Sequence, residues 1–227
     1  MSKLTHMSNT LMIAANEKTD RPPGQTRQQK RYGKTRRKLF EAARSVLAEK
    51  GLAATTVEQI ADRADVGRGS FYYHFDAKDE LIRQMIQKLL GELTARIREK
   101  CASENDLNAV LDAIIGAHIE FFANRWEDFV LYYQCRADLT LDESYEGIET
   151  PFVEYLTCIE ELVDRAVSQR ISKERLRRLA FAIAGFISGY YSFASVASEE
   201  DDVDRSFMSL RSAFVASLAR FIKEALP

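Results

Sequence analysis

The sequence predicts an all-α protein, and three observations lead to that prediction. Helix-favouring residues dominate a chain of 227 residues that holds only ten glycines and four prolines. Apolar residues recur at steps of three and four along most of the chain, which is the spacing of one helix face. No alternating strand pattern and no internal repeat interrupts this spacing. The composition, with 46% hydrophobic and 29% charged residues, also excludes collagen, a disulfide scaffold and low-complexity disorder.

Charge is distributed unevenly along the chain. Residues 1–80 carry 15 basic and 10 acidic side chains, whereas residues 81–227 carry 17 and 24. The segment from Arg21 to Lys38 holds eight basic side chains and no acidic one. A basic front and an acidic back predict two parts with different partners. We expect a disordered basic arm over residues 1–30, a three-helix domain over 31–80 and a second helical domain over 81–227.

The first part of the chain has the pattern of three helices. A helix is predicted from Thr35 to Lys50, with one apolar face and Gly51 at its C-terminal cap. Thr56 is predicted to cap a second, short helix, and Gln59 three residues later completes a capping box.

A tight turn is predicted directly after the second helix. Val66 would be its apolar plug, and Gly67 would supply the backbone freedom that the turn needs. Arg68 to Phe75 is then predicted to form the third helix, and Asp76 to cap a longer fourth one.

Two short helices joined by a tight turn, after a supporting helix, predict a helix-turn-helix. The second short helix would fit the major groove of DNA. Arg68 can pair with guanine through two hydrogen bonds, and Ser70 can reach a base edge or a phosphate. Ring faces and polar tips suited to the same surface are offered by Tyr72, Tyr73 and His74. Phe71 and Phe75 are expected to pin the helix to the core.

Phosphate contacts are expected around this helix. Thr56 and Lys78 stand at helix starts, where hydroxyl, ammonium and backbone N–H groups hold phosphates. Lys34 and Arg36, in the basic segment, are expected to attract the DNA backbone without regard to sequence. The same segment could instead follow a minor groove.

The segment from about Lys34 to Met85 resembles the DNA-binding domain of TetR-family transcriptional regulators. The matching positions are Ala61, Val66, Tyr72, Tyr73, His74, Phe75 and Lys78. The resemblance implies a homodimer on a palindromic operator, released by a small molecule in the C-terminal domain. It further implies that Arg68 and Ser70 face bases, and that the tyrosines, His74 and Lys78 face phosphates. The sequence departs from the family pattern at Gly69, which loosens the helix start, and at Glu58, where some members place a basic residue that contacts DNA.

Two near-heptad apolar seams mark the end of the chain, from Leu176 to Ala197 and from Val203 to Phe221. Pairing this hairpin with a second copy would bury both seams in a four-helix bundle, and Gly185 and Gly189 would permit close approach. The alternative is that the seams pack within one chain. The predicted interface residues are Ile183, Phe186, Tyr190, Phe193, Phe207, Leu210, Phe214 and Phe221.

A set of aromatic residues in the second domain is the candidate effector site. Such a lining suits a mid-sized small molecule of partly apolar or aromatic character. The alternative is an ordinary core in which the histidine is hydrogen-bonded. The predicted ligand-binding residues are His118, Phe122, Trp126, Tyr132, Tyr155 and Tyr191.

Cysteine and histidine usage bears on compartment and cofactors. Cys101, Cys135 and Cys158 are odd in number and widely spaced, which predicts reduced thiols in a cytoplasmic protein. The three histidines form no ligand motif, so neither a metal site nor a cofactor is expected.

Taken together, these patterns predict a cytoplasmic, ligand-responsive transcriptional repressor that is not an enzyme. Two alternatives stay open. A small helical enzyme would need a nucleophile–base pair or a metal cluster, and the sequence shows neither. A membrane-tethered DNA binder would use the uncharged run from Leu179 to Ser198, which is long enough to span a bilayer but carries the seam of a bundle helix.

Overall fold

The computed structural model describes residues 26–138, 147–167, 171–197 and 200–224. In the last two of these ranges, side chains are described up to Phe193 and again from Leu210 to Ile222. Within these ranges the chain forms nine helices and no strand, which confirms the all-α prediction. The greater part of the predicted arm, residues 1–25, lies outside the described residues. The helices are α1 (Arg27–Lys50), α2 (Val57–Arg63), α3 (Arg68–His74), α4 (Lys78–Lys100), α5 (Leu107–Phe122), α6 (Trp126–Asp138), α7 (Glu149–Ala166), α8 (Lys173–Ala197) and α9 (Glu200–Glu224).

Helix α1 begins at Arg27, eight residues before the predicted start at Thr35. The reason is a capping box that sequence reasoning overlooked. The Thr26 hydroxyl accepts from the backbone N–H of Gln29 at 3.2 Å, and the Gln29 side chain accepts from the backbone N–H of Thr26 at 2.9 Å. The basic segment is therefore helical from Arg27 onward.

The helix-turn-helix is held by a small apolar core. Phe71 and Phe75, at the two ends of the buried face of α3, have ring centroids 5.6 Å apart, and Phe40 of α1 meets Phe75 edge-on at 5.6 Å. Both phenylalanines are almost fully buried, which confirms that they pin α3. They pack in one cluster with residues of α1 and α2, namely Leu39, Ala43, Leu47 and Ile60.

Two details of local geometry differ from the prediction. The left-handed residue of the turn is Asp65, with φ of 55°, whereas Gly67 has φ of −71° and is the extended N-cap of α3. Aspartate tolerates this conformation better than most residues with a Cβ. Asp76 does not cap α4, because the N-cap is Ala77. Instead, the Glu80 carboxylate in the first turn accepts from the backbone N–H of Asp76 at 2.6 Å.

Helices α4 to α9 form a helical bundle. Helices α4 and α5 pack together and both contact α7, while α9 lies on α5, α8 lies on α7, and α8 contacts α9. The three cysteines are free, as predicted, and all three are also buried. Among the described helices, α8 included, none combines the length and apolarity needed to cross a membrane.

Candidate functional site

Helix α3 has one buried and one exposed face. Phe71 is fully buried, whereas the neighbouring Tyr72 and Tyr73 are 49% and 67% exposed. Arg68 at the start of the helix is exposed and Ser70 is half-buried. The structure therefore presents a short helix whose outer face carries a guanidinium and two phenol rings, as the sequence predicts.

The Arg68 side chain has a partner that sequence reasoning did not identify. Its guanidinium Nη2 lies 2.7 Å from a carboxylate oxygen of Glu58, in the first turn of α2. The pKa of Glu58 lies below its usual value. The main causes are hydrogen bonds from its own backbone N–H and from the Thr56 hydroxyl, with a smaller effect of Arg68. The only signal in the sequence was an acidic residue where a basic one was expected.

Thr56 and Lys78 are both engaged within the protein. Thr56 is the N-cap of α2, and its capping box with Gln59 is formed as predicted. The Lys78 Nζ donates to the backbone carbonyls of Leu52 and Thr55, each at 3.1 Å. An ammonium has three N–H donors, so one donor of Lys78 is left for a phosphate.

The two predicted contacts on α1 differ in their surroundings. Lys34 is exposed. Arg36 donates to the Gln84 side chain and lies 5.2 Å and 5.4 Å from the ring centroids of Phe40 and Phe75. The Arg36 guanidinium therefore packs between α1 and α4, with one of its five N–H donors used on Gln84.

His74 is half-buried at the end of α3, with its ring edge-on to Tyr73 at 5.3 Å. Burial lowers the pKa of His74, and the positive charge of Arg36 lowers it further. A neutral imidazole offers hydrogen bonds but no charge to a phosphate.

Several polar side chains lie together in the core of the helical bundle. Nδ1 of His118 lies 2.7 Å from the Ile114 carbonyl and Nε2 lies 2.6 Å from the Tyr155 hydroxyl. A carbonyl only accepts, so Nδ1 carries the proton and Nε2 accepts from Tyr155. The Tyr132 ring lies edge-on to Tyr155, with ring centroids 6.4 Å apart. Burial lowers the pKa of His118 to about 4 and raises those of both tyrosines.

The predicted ligand-binding residues come together around these polar side chains. Ring centroids are 5.7 Å apart for Phe122 and Tyr132, and 6.2 Å apart for Phe122 and Tyr191. Sequence reasoning missed Phe129, whose ring lies within 5.3 to 5.6 Å of Tyr191, Phe122 and Trp126. The spacing of Trp126, Phe129 and Tyr132 on one face of α6 was the signal for it. Trp126 lies at the exposed edge of the set.

These aromatic side chains contact one another between their helices. Apart from Trp126, the predicted set is buried. Two surface clefts, of about 500 Å³ between the start of α8 and the end of α9 and about 720 Å³ beside α1, α4 and the start of α7, are lined by other residues. No group of three or more potential metal ligands occurs in the part of the chain that the structure describes.

A buried acid links three helices. The Asp128 carboxylate on α6 forms ion pairs with Arg44 of α1 at 2.8 Å and with Arg125 at 2.7 Å. Arg125 also pairs with Glu92 of α4 at 3.2 Å and lies 4.1 Å from the ring centroid of Phe121. Since Arg44 belongs to the supporting helix of the helix-turn-helix, Asp128 connects that motif to the helical bundle.

Fold and surface together define a helix-turn-helix protein with an attached helical bundle. The family model of the bacterial regulatory proteins of the tetR family matches residues 39–85. The chain therefore carries, over these residues, a DNA-binding domain of the TetR-family type.

Two relatives match parts of this chain in sequence, and a solved structure matches it in fold. The transcriptional regulator YvdT of Bacillus subtilis is 28% identical over 131 residues, covering 58% of this chain and 66% of YvdT. The transcriptional repressor KstR2 of Rhodococcus jostii is 39% identical over 85 residues, covering 37% of this chain and 42% of KstR2. The matches therefore span less than two thirds of these relatives. The structure of FadR from Bacillus subtilis, in complex with stearoyl-CoA, shares the fold with a TM-score of 0.68 at 18% identity, covering 80% of this chain and 96% of that one.

Proposed function

We propose that this chain is a transcriptional repressor that binds a palindromic DNA operator as a homodimer. A small-molecule effector bound in the helical domain, residues 81–227, releases the DNA. The observation that carries the proposal is α3, which buries Phe71 and Phe75 while it exposes Arg68, Tyr72 and Tyr73. We assign DNA binding to a domain over residues 31–80 and the protein to the cytoplasm. The relatives named above are regulators, which favours this function over the small helical enzyme.

Replacing Arg68 by alanine is expected to lower operator affinity about a hundredfold, because the homodimer loses one bidentate guanine contact in each half-site and each contact is worth about tenfold. An operator selected from a random library supplies the DNA, and fluorescence anisotropy at several salt concentrations measures the affinity. The logarithm of the binding constant should fall linearly with the logarithm of salt concentration. Arg178→Ala, which removes one exposed arginine from α8, is the matched control. Binding that is insensitive to salt and to Arg68 contradicts the proposal.

The outer faces of α8 and α9 support the proposed dimer. Phe193 and Phe221 are 79% and 57% exposed, and Leu210 is also exposed. Space is open where a Cβ would stand at Gly185 and Gly189, as judged from the described atoms of one chain. A second copy of these helices would bury the exposed rings and approach closely at the glycines.

The predicted interface needs adjustment. Ile183 is fully buried within one chain and belongs to its core, so we remove it from the interface. Phe186 and Phe214 are half-buried and stack on each other with ring centroids 3.4 Å apart, and Tyr190 is half-buried beside Phe186. The side chain of Phe207 lies outside the described residues. Part of the seam thus packs within the chain, as the alternative held.

Phe193→Asp and Phe221→Asp are each expected to turn a dimer into a monomer at micromolar protein concentration. An aspartate in an apolar interface loses the burial of the ring and leaves a carboxylate without water. Sedimentation velocity measures the change. Val153→Asp, at an exposed apolar residue of α7, is the control and should leave the dimer intact. A dimer that survives both phenylalanine replacements places the interface elsewhere.

The effector is proposed to bind among the aromatic residues around His118 and Tyr155. The hydroxyl groups of Tyr132 and Tyr155 and the imidazole of His118 supply polar contacts inside an apolar lining. Because these buried rings contact one another in the described structure, we propose that the effector displaces some of them. The stearoyl-CoA held by FadR supports an effector with a large apolar part.

A further inference from the structure

We propose that Glu58 determines the base specificity of this protein by holding Arg68 in the orientation that reads a guanine. The inference rests on the proposed function and concerns a residue that lies outside the recognition helix. Glu58 is the second residue of α2 and Arg68 the first of α3, and their side chains meet at 2.7 Å. The ion pair therefore bridges the two helices of the motif on their exposed side.

Glu58 stands in the first turn of α2, beside the capping box of that helix. Its own backbone N–H and the hydroxyl of Thr56 lower the pKa of its carboxyl group. That hydroxyl also accepts from the backbone N–H of Gln59 at 3.3 Å in the capping box. An acidic side chain in the first turn is further favoured by the helix dipole. The start of α2 therefore favours a charged carboxylate at Glu58, directly beside the Arg68 guanidinium.

Holding Arg68 in place has a direct consequence for recognition. A free arginine side chain loses considerable rotamer entropy when it binds, and a guanidinium held beforehand loses less. The group has five N–H donors, so the contact with Glu58 leaves enough of them for a bidentate bond to guanine. The carboxylate also repels phosphates, which disfavours binding in other registers. Glu58 therefore lowers the affinity for non-specific DNA and raises the preference for the operator sequence.

The test compares wild-type protein with Glu58→Ala, using sequencing of DNA selected from a random library and anisotropy on single-base variants of the recovered operator. The expected result is an approximately tenfold loss of the guanine preference at one position of each half-site. Affinity for random DNA should rise several-fold at low salt, because one negative charge is removed. An exposed ion pair adds little to stability, so the thermal midpoint should stay unchanged.

Asp62→Ala is the matched control. Asp62 is an exposed acid on the same helix, with no ion pair among the described residues. Its removal should raise the affinity for random DNA while it leaves the base preference intact. In an Arg68→Ala background, Glu58→Ala should cause no further change of preference.

The inference and the proposed function fail in different ways. A wild-type protein that selects no sequence from the library overturns both. A wild-type protein with a clear operator, together with a Glu58→Ala variant that keeps every base preference, overturns the role of Glu58 alone. If Asp62→Ala lost the guanine preference to the same extent, the loss in Glu58→Ala would be an effect of net charge alone. That result would likewise overturn the role of Glu58.

Discussion

Lowering the pH from 6.5 to 4 is expected to cost the protein about 3 kcal/mol of folding free energy through His118 alone. The imidazole takes up a proton near pH 6.5 in the unfolded chain and near pH 4 in the folded one, because burial disfavours the charged ring. Between these values the unfolded state holds more protons, so stability rises with pH. The contribution is complete above about pH 6.5 and is lost as the pH falls toward 4.

Urea unfolding at pH 7, 6, 5 and 4 measures this effect, with His118→Gln as the reference. Glutamine keeps a donor and an acceptor in the core but does not titrate in this range. Carboxylates such as Glu49 and Glu120, whose pKa values are lowered by arginine or lysine partners, contribute equally to both proteins and cancel in the difference. Parallel stability curves for the two proteins would show that His118 is not held neutral.

Replacing Asp128 by asparagine is expected to destabilise the protein by about 3 kcal/mol. The Asp128 side chain is 5% exposed, and without its charge Arg44 and Arg125 would face each other with no counterion between them. Both arginines are about one third exposed and keep part of their hydration, which places the effect at the lower end for a broken buried pair.

Glu92→Gln serves as the matched control in the same network. Glu92 is 43% exposed, and its loss should cost less than about 1 kcal/mol, as for surface ion pairs in general. Denaturant midpoints of the two variants and the wild type give the comparison. If both variants lost the same small amount of unfolding free energy, Asp128 would be hydrated like an acidic residue on the surface.

The parts of the fold that depend on residues close together in the sequence could be predicted from the sequence alone. The capping box of Thr56 and Gln59 and the burial of Phe71 and Phe75 follow from spacings of three and four residues. The same kind of local rule failed at the turn, where Asp65 and not Gly67 takes the left-handed conformation. Either residue type is compatible with such a turn, and the choice is made by how the two helices pack.

Side-chain direction at the site was less predictable. Arg36 and Lys78 have the charge expected of phosphate contacts, yet both bind groups inside the protein. The pairing of Arg44 with Asp128 joins residues far apart in the chain and leaves no local pattern. The aromatic residues around His118 are brought together by four helices, α5 to α8, and the sequence showed only that several of them lie on apolar stripes.

Helix α6 carries Asp128 and, one residue later, Phe129, so two different sets of contacts depend on one turn of helix. Phe129 contacts the rings where the effector is proposed to bind, and Asp128 holds Arg44 of the DNA-binding domain. A compound that makes room by moving Phe129 also disturbs the pair with Arg44. Thermodynamic linkage makes this reciprocal: if the compound weakens operator binding by some factor, operator binding weakens the compound by the same factor. The protein on its operator would then respond only at a higher effector concentration than the free protein does.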